Sequence, residues 1–172
     1  GDYKGFEKML NHIENEMTFS TGERGIQQDF SFHHRVDRVN NTDSYGYDKF
    51  ANGYGEWSYY VAGTKYQFSQ ERLKILIDYF LDGIYKQLVY GIYEDVGVRN
   101  RDITIKKPDF RPKGTQEIER LFVSTNYRRK ELEEIIKLRK GEIKPSLSFA
   151  KFFWQTEHFV FQRPTFYTSV RM

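Results

Sequence analysis

The run Ser69-Gln70-Glu71-Arg72-Leu73-Lys74-Ile75-Leu76-Ile77-Asp78-Tyr79-Phe80-Leu81-Asp82-Gly83-Ile84-Tyr85-Lys86-Gln87-Leu88-Val89-Tyr90 decides the fold class. Leu73, Ile75, Leu76, Tyr79, Phe80, Ile84, Leu88 and Tyr90 recur at steps of three and four, the stripe that a helix buries. Ser69 stands where an N-cap hydroxyl accepts from a free first-turn amide. The spacing therefore predicts a long helix from Ser69 to about Tyr93.

The same period appears on both sides of this run. Phe6, Met9, Leu10, Ile13 and Met17 predict an amphipathic helix over 3–19, stopped by Thr21-Gly22-Glu23-Arg24-Gly25. Phe50 to Ala62 reads as another helix, weakened by Gly53 and Gly55. Thr115 opens a further one, broken near Ser124-Thr125-Asn126 and resumed from Tyr127 to Lys140. Lys137 to Lys144 reads as its solvated end. Beyond Gly141 the residues become aromatic and β-branched, and 146–153, 158–162 and 167–171 read as short strands. Helices first and strands last predict a mainly α chain, with a helical domain over 1–141 and a β domain that begins over 142–172.

Composition excludes several classes. Hydrophobic residues make up 38% and charged residues 30%, a globular balance, and no run is apolar enough for a membrane. A net charge of +3 with interleaved signs argues against a nucleic-acid partner, whose basic residues would form a stripe. No cysteine is present, so neither a disulfide nor a thiolate site is available. The aromatic fraction of 17%, with 13 Tyr and 15 Phe, exceeds what the core needs. Such rings suit sugar-stacking clefts or protein interfaces.

Two stretches, Ile26 to about Asp48 and Asp95 to Pro112, lack any period. Loops of that length in a compact domain are commonly functional, and Phe30, Phe32, Tyr45 and Tyr47 argue that the first is ordered. It contains Gly25-Ile26-Gln27-Gln28-Asp29-Phe30-Ser31-Phe32-His33-His34 and then Ser44-Tyr45-Gly46; Arg99 and Arg101 lie in the second. The pair His33-His34 has no partner at helical spacing, which argues against a zinc site. Asp29 reads as a turn residue, and Trp57 and Trp154 read more simply as core. For Arg99 and Arg101 the ordinary reading is ion pairing with Asp95 or Asp102.

The run from Gly25 to His34 resembles that of the chondroitin AC lyase and hyaluronate lyase family, in which a Gly-Ile-Gln-x-Asp-aromatic-Ser-Phe stretch leads into a catalytic His and then a Tyr-Gly pair. Tyr60-Val61, Thr64-Lys65-Tyr66-Gln67-Phe68-Ser69, Gly91-Ile92-Tyr93-Glu94-Asp95, Phe153-Trp154, Arg163-Pro164 and Val170-Arg171-Met172 extend the likeness along nearly the whole chain. The resemblance implies an incomplete α/α toroid of antiparallel helical hairpins, with its last strands entering a β-sandwich. It also implies β-elimination on uronic-acid glycans such as chondroitin, dermatan sulfate or hyaluronan. No cofactor is implied.

Elimination must remove a weakly acidic C5 proton, neutralise the neighbouring carboxylate and protonate the leaving oxygen. A tyrosine serves as both base and acid where cations lower its pKa from about 10. By resemblance Tyr45 is that base and acid, His34 assists, and Arg99 and Arg101 hold the substrate. The spacing leaves Tyr47 and Tyr54 as alternatives for the tyrosine, and another alignment puts Arg35 in the histidine position. His33, Arg35, Tyr47 and Trp57 are the candidate substrate-binding residues. The expected partner is an acidic polysaccharide, with no nucleic acid and no membrane, and self-association is expected through uncovered helix faces. The family's other substrate-binding residues lie outside the stretches matched here, so the isolated chain is expected to be inactive within a secreted or periplasmic parent. A non-catalytic glycan-binding module on the same scaffold is the alternative.

Overall fold

The computed structural model describes residues 1–36, 38–99 and 112–172. Helix α1 (Tyr3–Glu16) starts where the Asp2 carboxylate accepts from the Gly5 amide at 2.9 Å. Its stripe is only half used: Leu10 and Met17 are buried, whereas Phe6 and Met9 stay exposed. A two-stranded ribbon follows, β1 (Gly25–Ile26) against β2 (Phe32–His33), antiparallel with Gly25 opposite His33.

The first aperiodic stretch is shorter than expected, because Thr42–Ala51 is a π-helical segment that runs straight into α2 (Asn52–Val61). Its wide turn is visible in the Gly46 amide, which donates to the Asn41 carbonyl five residues back at 3.0 Å. The sequence hides it because its buried side includes Thr42, Asp43 and Ser44, so no apolar period marks it. Helix α3 (Gln70–Asp78) has Ser69 as its N-cap, with the Ser69 hydroxyl accepting from Arg72 N. It continues as a π turn (Tyr79–Ile84) and a 3-10 turn (Tyr85–Gln87). The helix therefore stops at Gln87 rather than near Tyr93. Leu88 turns extended, and Tyr90 and Gly91 take positive φ values of 56° and 72° to reverse the chain. A Cβ on Gly91 would stand 1.8 Å from the Tyr85 ring, so only glycine fits that reversal.

Helices α4 (Gln116–Leu121) and α5 (Arg129–Arg139) flank the expected break at 124–126. Leu73, Leu76, Ile77, Tyr79, Phe80, Leu121, Leu132 and Ile135 form one buried cluster shared by the helices. Three antiparallel strands end the chain in sequential order: β3 (Phe149–Phe153), β4 (His158–Arg163) and β5 (Phe166–Arg171). Phe153, His158, Val160 and Gln162 face inward, as period-2 alternation requires. Polar ties fasten this sheet to the helices. Lys151 Nζ donates to the Asp82 carbonyl at 2.7 Å, and Tyr167 Oη donates to Asp95 Oδ2 at 2.6 Å. Among the described residues no helix is long and apolar enough to cross a membrane.

Candidate active site

The loop from β1 to the π segment is held by side chains that mimic backbone partners. Asp29 Oδ1 accepts from the Ser31 amide at 2.9 Å and the Ser31 hydroxyl at 2.7 Å, the expected turn role. Its Oδ2 accepts from the Gln155 amide at 2.7 Å, which also anchors the loop to the β3–β4 turn. Asn40, fully buried, accepts from the Thr42 amide and hydroxyl and donates to Gln87 Oε1 at 2.6 Å and Thr156 Oγ1 at 3.2 Å. Loop, α3 and sheet thus meet at a single amide.

The end of β2 separates the two histidines, since His33 is its last residue and His34 follows it. His33 points inward, 1% exposed, with Nδ1 3.2 Å from the Glu23 carbonyl. Burial pushes its pKa below the usual imidazole range, against the opposing pull of the Glu23 and Gln155 carbonyls. It is a structural residue of the ribbon and offers no surface to a glycan. His34, half-buried, points the other way and stacks on Tyr45, with ring centroids 3.7 Å apart and planes within 12°. Arg35 is exposed on the adjoining turn, where its carbonyl accepts from the Arg38 amide.

Tyr45 lies in the first turn of the π segment, half-buried, with Lys49 Nζ 5.7 Å from its ring. Its neighbours explain the Ser-Tyr-Gly setting. Ser44 Oγ donates to Asn41 Oδ1 at 2.5 Å and closes the turn. A Cβ on Gly46 would lie 2.1 Å from Tyr79 Oη and 2.9 Å from Phe32 Cβ, so glycine lets the turn press onto α3 and β2.

Tyr47 goes the opposite way. It is 1% exposed, donates to Glu117 Oε1 and accepts from Arg139 Nη1 at 2.9 Å. Burial, the largest influence, raises its phenol far above the ordinary range. Tyr54 is also buried, its pKa raised by desolvation, and its hydroxyl reaches the Glu14 carbonyl at 3.4 Å. Both alternatives for the reactive tyrosine therefore lie inside the core. Trp57 is half-buried on α2, edge-on to Tyr60 at 6.1 Å, in an aromatic row separate from the His34–Tyr45 stack. Trp154, read from the sequence as core, is 54% exposed in the turn after β3.

Arg99 follows a 3-10 turn (Val96–Val98) capped by Asp95, whose Oδ1 accepts from the Gly97 amide at 2.8 Å. The guanidinium is buried, 7% exposed, and pairs with Glu94 rather than Asp95. The Arg99 carbonyl accepts from Ser44 Oγ at 3.5 Å, so the arginine reaches the Tyr45 turn through its backbone. Arg101 lies outside the described residues.

Sequence reading missed Lys113. Its Nζ lies 2.7 Å from Asp43 Oδ1, 3.3 Å from Asp48 Oδ1 and 3.4 Å from Glu94 Oε1. Burial lifts the Asp43 carboxyl to about 6 despite the ammonium beside it, with Asp48 and Glu94 adding to the rise. For Lys113 desolvation acts downward but is outweighed by Asp43, Asp48 and Glu94, which raise its pKa. No local motif could have flagged Pro112-Lys113-Gly114, whose partners are remote in sequence.

Residues 2–138 match the model of polysaccharide lyase family 8, N-terminal α-helical domain. The chain belongs to that family. A solved chondroitinase AC lyase, whose structural report concerns enzyme–oligosaccharide complexes, superposes with a TM-score of 0.84 at 25% identity. That match covers 99% of this chain and 25% of the lyase chain, so the chain spans about a quarter of its length. No curated protein matches. The mainly helical fold with short antiparallel strands is thus that of part of the α/α-toroid lyases, as the sequence implied.

Proposed function

We propose that this chain supplies the acid–base groups of an enzyme that cleaves uronic-acid-containing glycans, chondroitin-like or hyaluronan-like, by β-elimination. Tyr45 takes the C5 proton and returns a proton to the leaving glycosidic oxygen. His34, Arg99 and Arg101 neutralise the uronate and the charge that grows on it. The observation that carries this reading is the His34–Tyr45 stack, half-buried and built by family-matching residues. A stack is not an in-line hydrogen bond. His34 therefore shields one ring face and meets the substrate at its own edge, while the Tyr45 hydroxyl does the proton transfer.

In this reading residues 1–141 are the later part of a toroidal domain, and 142–172 open a β domain that completes the site. The parent protein is secreted or periplasmic, and the chain alone turns over little or no substrate. Its partner is an acidic polysaccharide, with Arg35 and Trp57 as outer contacts. The test is Tyr45→Phe in the intact protein: release of unsaturated uronate, read by its absorbance, is lost while glycan binding persists. An undiminished rate would remove Tyr45 from the mechanism.

A second reading, a non-catalytic glycan-binding module, is favoured by the closed Arg99–Glu94 pair, which occupies a guanidinium the elimination would use. Intact protein that binds acidic glycans yet releases no unsaturated product would select it.

A further inference from the structure

Lys113 joins the two halves of the site from below. Its backbone amide donates to the Ile92 carbonyl at 2.9 Å, which fixes the side chain's origin beside Glu94. The ammonium then spans to Asp43 and Asp48, which lie on either side of Tyr45 in the π segment. Glu94, its third carboxylate, is the group that holds the Arg99 guanidinium. The Tyr47 ring, 5.0 Å from the same nitrogen, packs against the ammonium within the core. One cation therefore fastens the turn that carries Tyr45 to the ion pair that carries Arg99. Without it, the buried Asp43 and Glu94 carboxylates lose the cation between them and repel each other, and Asp48 adds to that repulsion.

We propose that Lys113 is a positioning residue that sets the spacing of Tyr45 from Arg99. It touches neither the glycan nor the reacting atoms. The proposal rests on the reading of Tyr45 as the acid–base group. Proton abstraction tolerates little displacement: an error of about 1 Å costs about a hundredfold in rate.

The test compares Lys113→Met and Lys113→Arg by two independent readouts. In proton NMR, the His34 ring signals are expected upfield because the ring stacks on the Tyr45 face, and they are assigned by their disappearance in His34→Gln. Lys113→Met is expected to return them toward unstacked positions, and Lys113→Arg to keep them. In kinetics of the intact protein, Lys113→Met is expected to lower kcat about a hundredfold with KM changed less than about threefold. Lys113→Arg should recover most of that loss. A wild-type His34 shift in folded Lys113→Met overturns the proposal. Where Lys113→Met does not fold, Asp43→Asn cuts the same tie from the helix side, and an unchanged stack there overturns it equally. A lost stack in a protein whose wild type releases no unsaturated product upholds the tie and refutes the lyase reading instead.

Discussion

Tyr45 and Tyr47 are two residues apart on one π-helical segment, and they occupy opposite worlds. Residues at i and i+2 of a helix do not share a face. Tyr45 is half-buried under a single stacked imidazole. Tyr47 is closed in the core, bonded to Glu117 and Arg139, edge-on to Phe80 at 5.6 Å and next to the Lys113 ammonium. The Tyr45 face stays partly open, and it is there that we place the proton transfer; the Tyr47 face is closed. The Lys113 ties that hold the turn carrying Tyr45 run through Asp43 and Asp48 on the same segment.

The sharpest way to break this comparison is to remove one hydroxyl from each face. Tyr45→Phe should reduce elimination by about a thousandfold, the scale of a lost acid–base group, with an unchanged melting temperature. Next in size is Arg139→Met. Its side chain is fully buried and pairs with Glu117 at 3.1 Å, so the change leaves a carboxylate and a phenol without their donor. Urea denaturation should show a loss of about 3–5 kcal/mol. Tyr47→Phe should cost about 1–3 kcal/mol through the unsatisfied partner groups, while a folded variant keeps most of the wild-type kcat. Equal activity losses in Tyr45→Phe and Tyr47→Phe would erase the distinction between the faces.

The smallest effect is one of pH. Burial disfavours the Asp43 charge and pushes its carboxyl up from the ordinary 3.8 to about 6 in the fold. A raised carboxyl pKa stabilises the fold below the unfolded value and loses that contribution as pH rises through the folded one. The stability of wild type relative to Asp43→Asn should therefore fall by about 2 kcal/mol between about pH 4 and 6. Denaturation curves at those two pH values check it; a pH-independent difference would show that Lys113 fully compensates the burial.

Much of the scaffold was legible because it obeys one rule. In α3 the stripe of Leu73, Leu76, Tyr79 and Phe80 is buried as its period demanded, and Ser69 caps it. The helix stops short of its forecast end because Gly91 and the positive φ at Tyr90 answer to a packing partner, Tyr85, rather than to local propensity. The π segment was illegible for a different reason: it buries Asp43, Ser44 and Thr42, of which Asp43 is paired with the Lys113 charge and Ser44 and Thr42 are hydrogen-bonded to Asn41 and Asn40. Trp154 shows the converse, a large apolar ring left outside.

At the site, the likeness of the Gly25 to His34 run and the following Ser44-Tyr45-Gly46 to a known family named His34 and Tyr45 as candidates. The spacing left Tyr47 and Tyr54 as alternatives to Tyr45. What separated the two tyrosines, turned His33 inward and His34 outward, and brought Lys113 beneath Asp43 was tertiary packing. Strand alternation and helical phase act once an element is formed, and they are cheap to read only when apolar residues mark the buried face. Ion pairs between segments far apart in the chain leave no period at all, because a charge can be buried wherever its partner arrives.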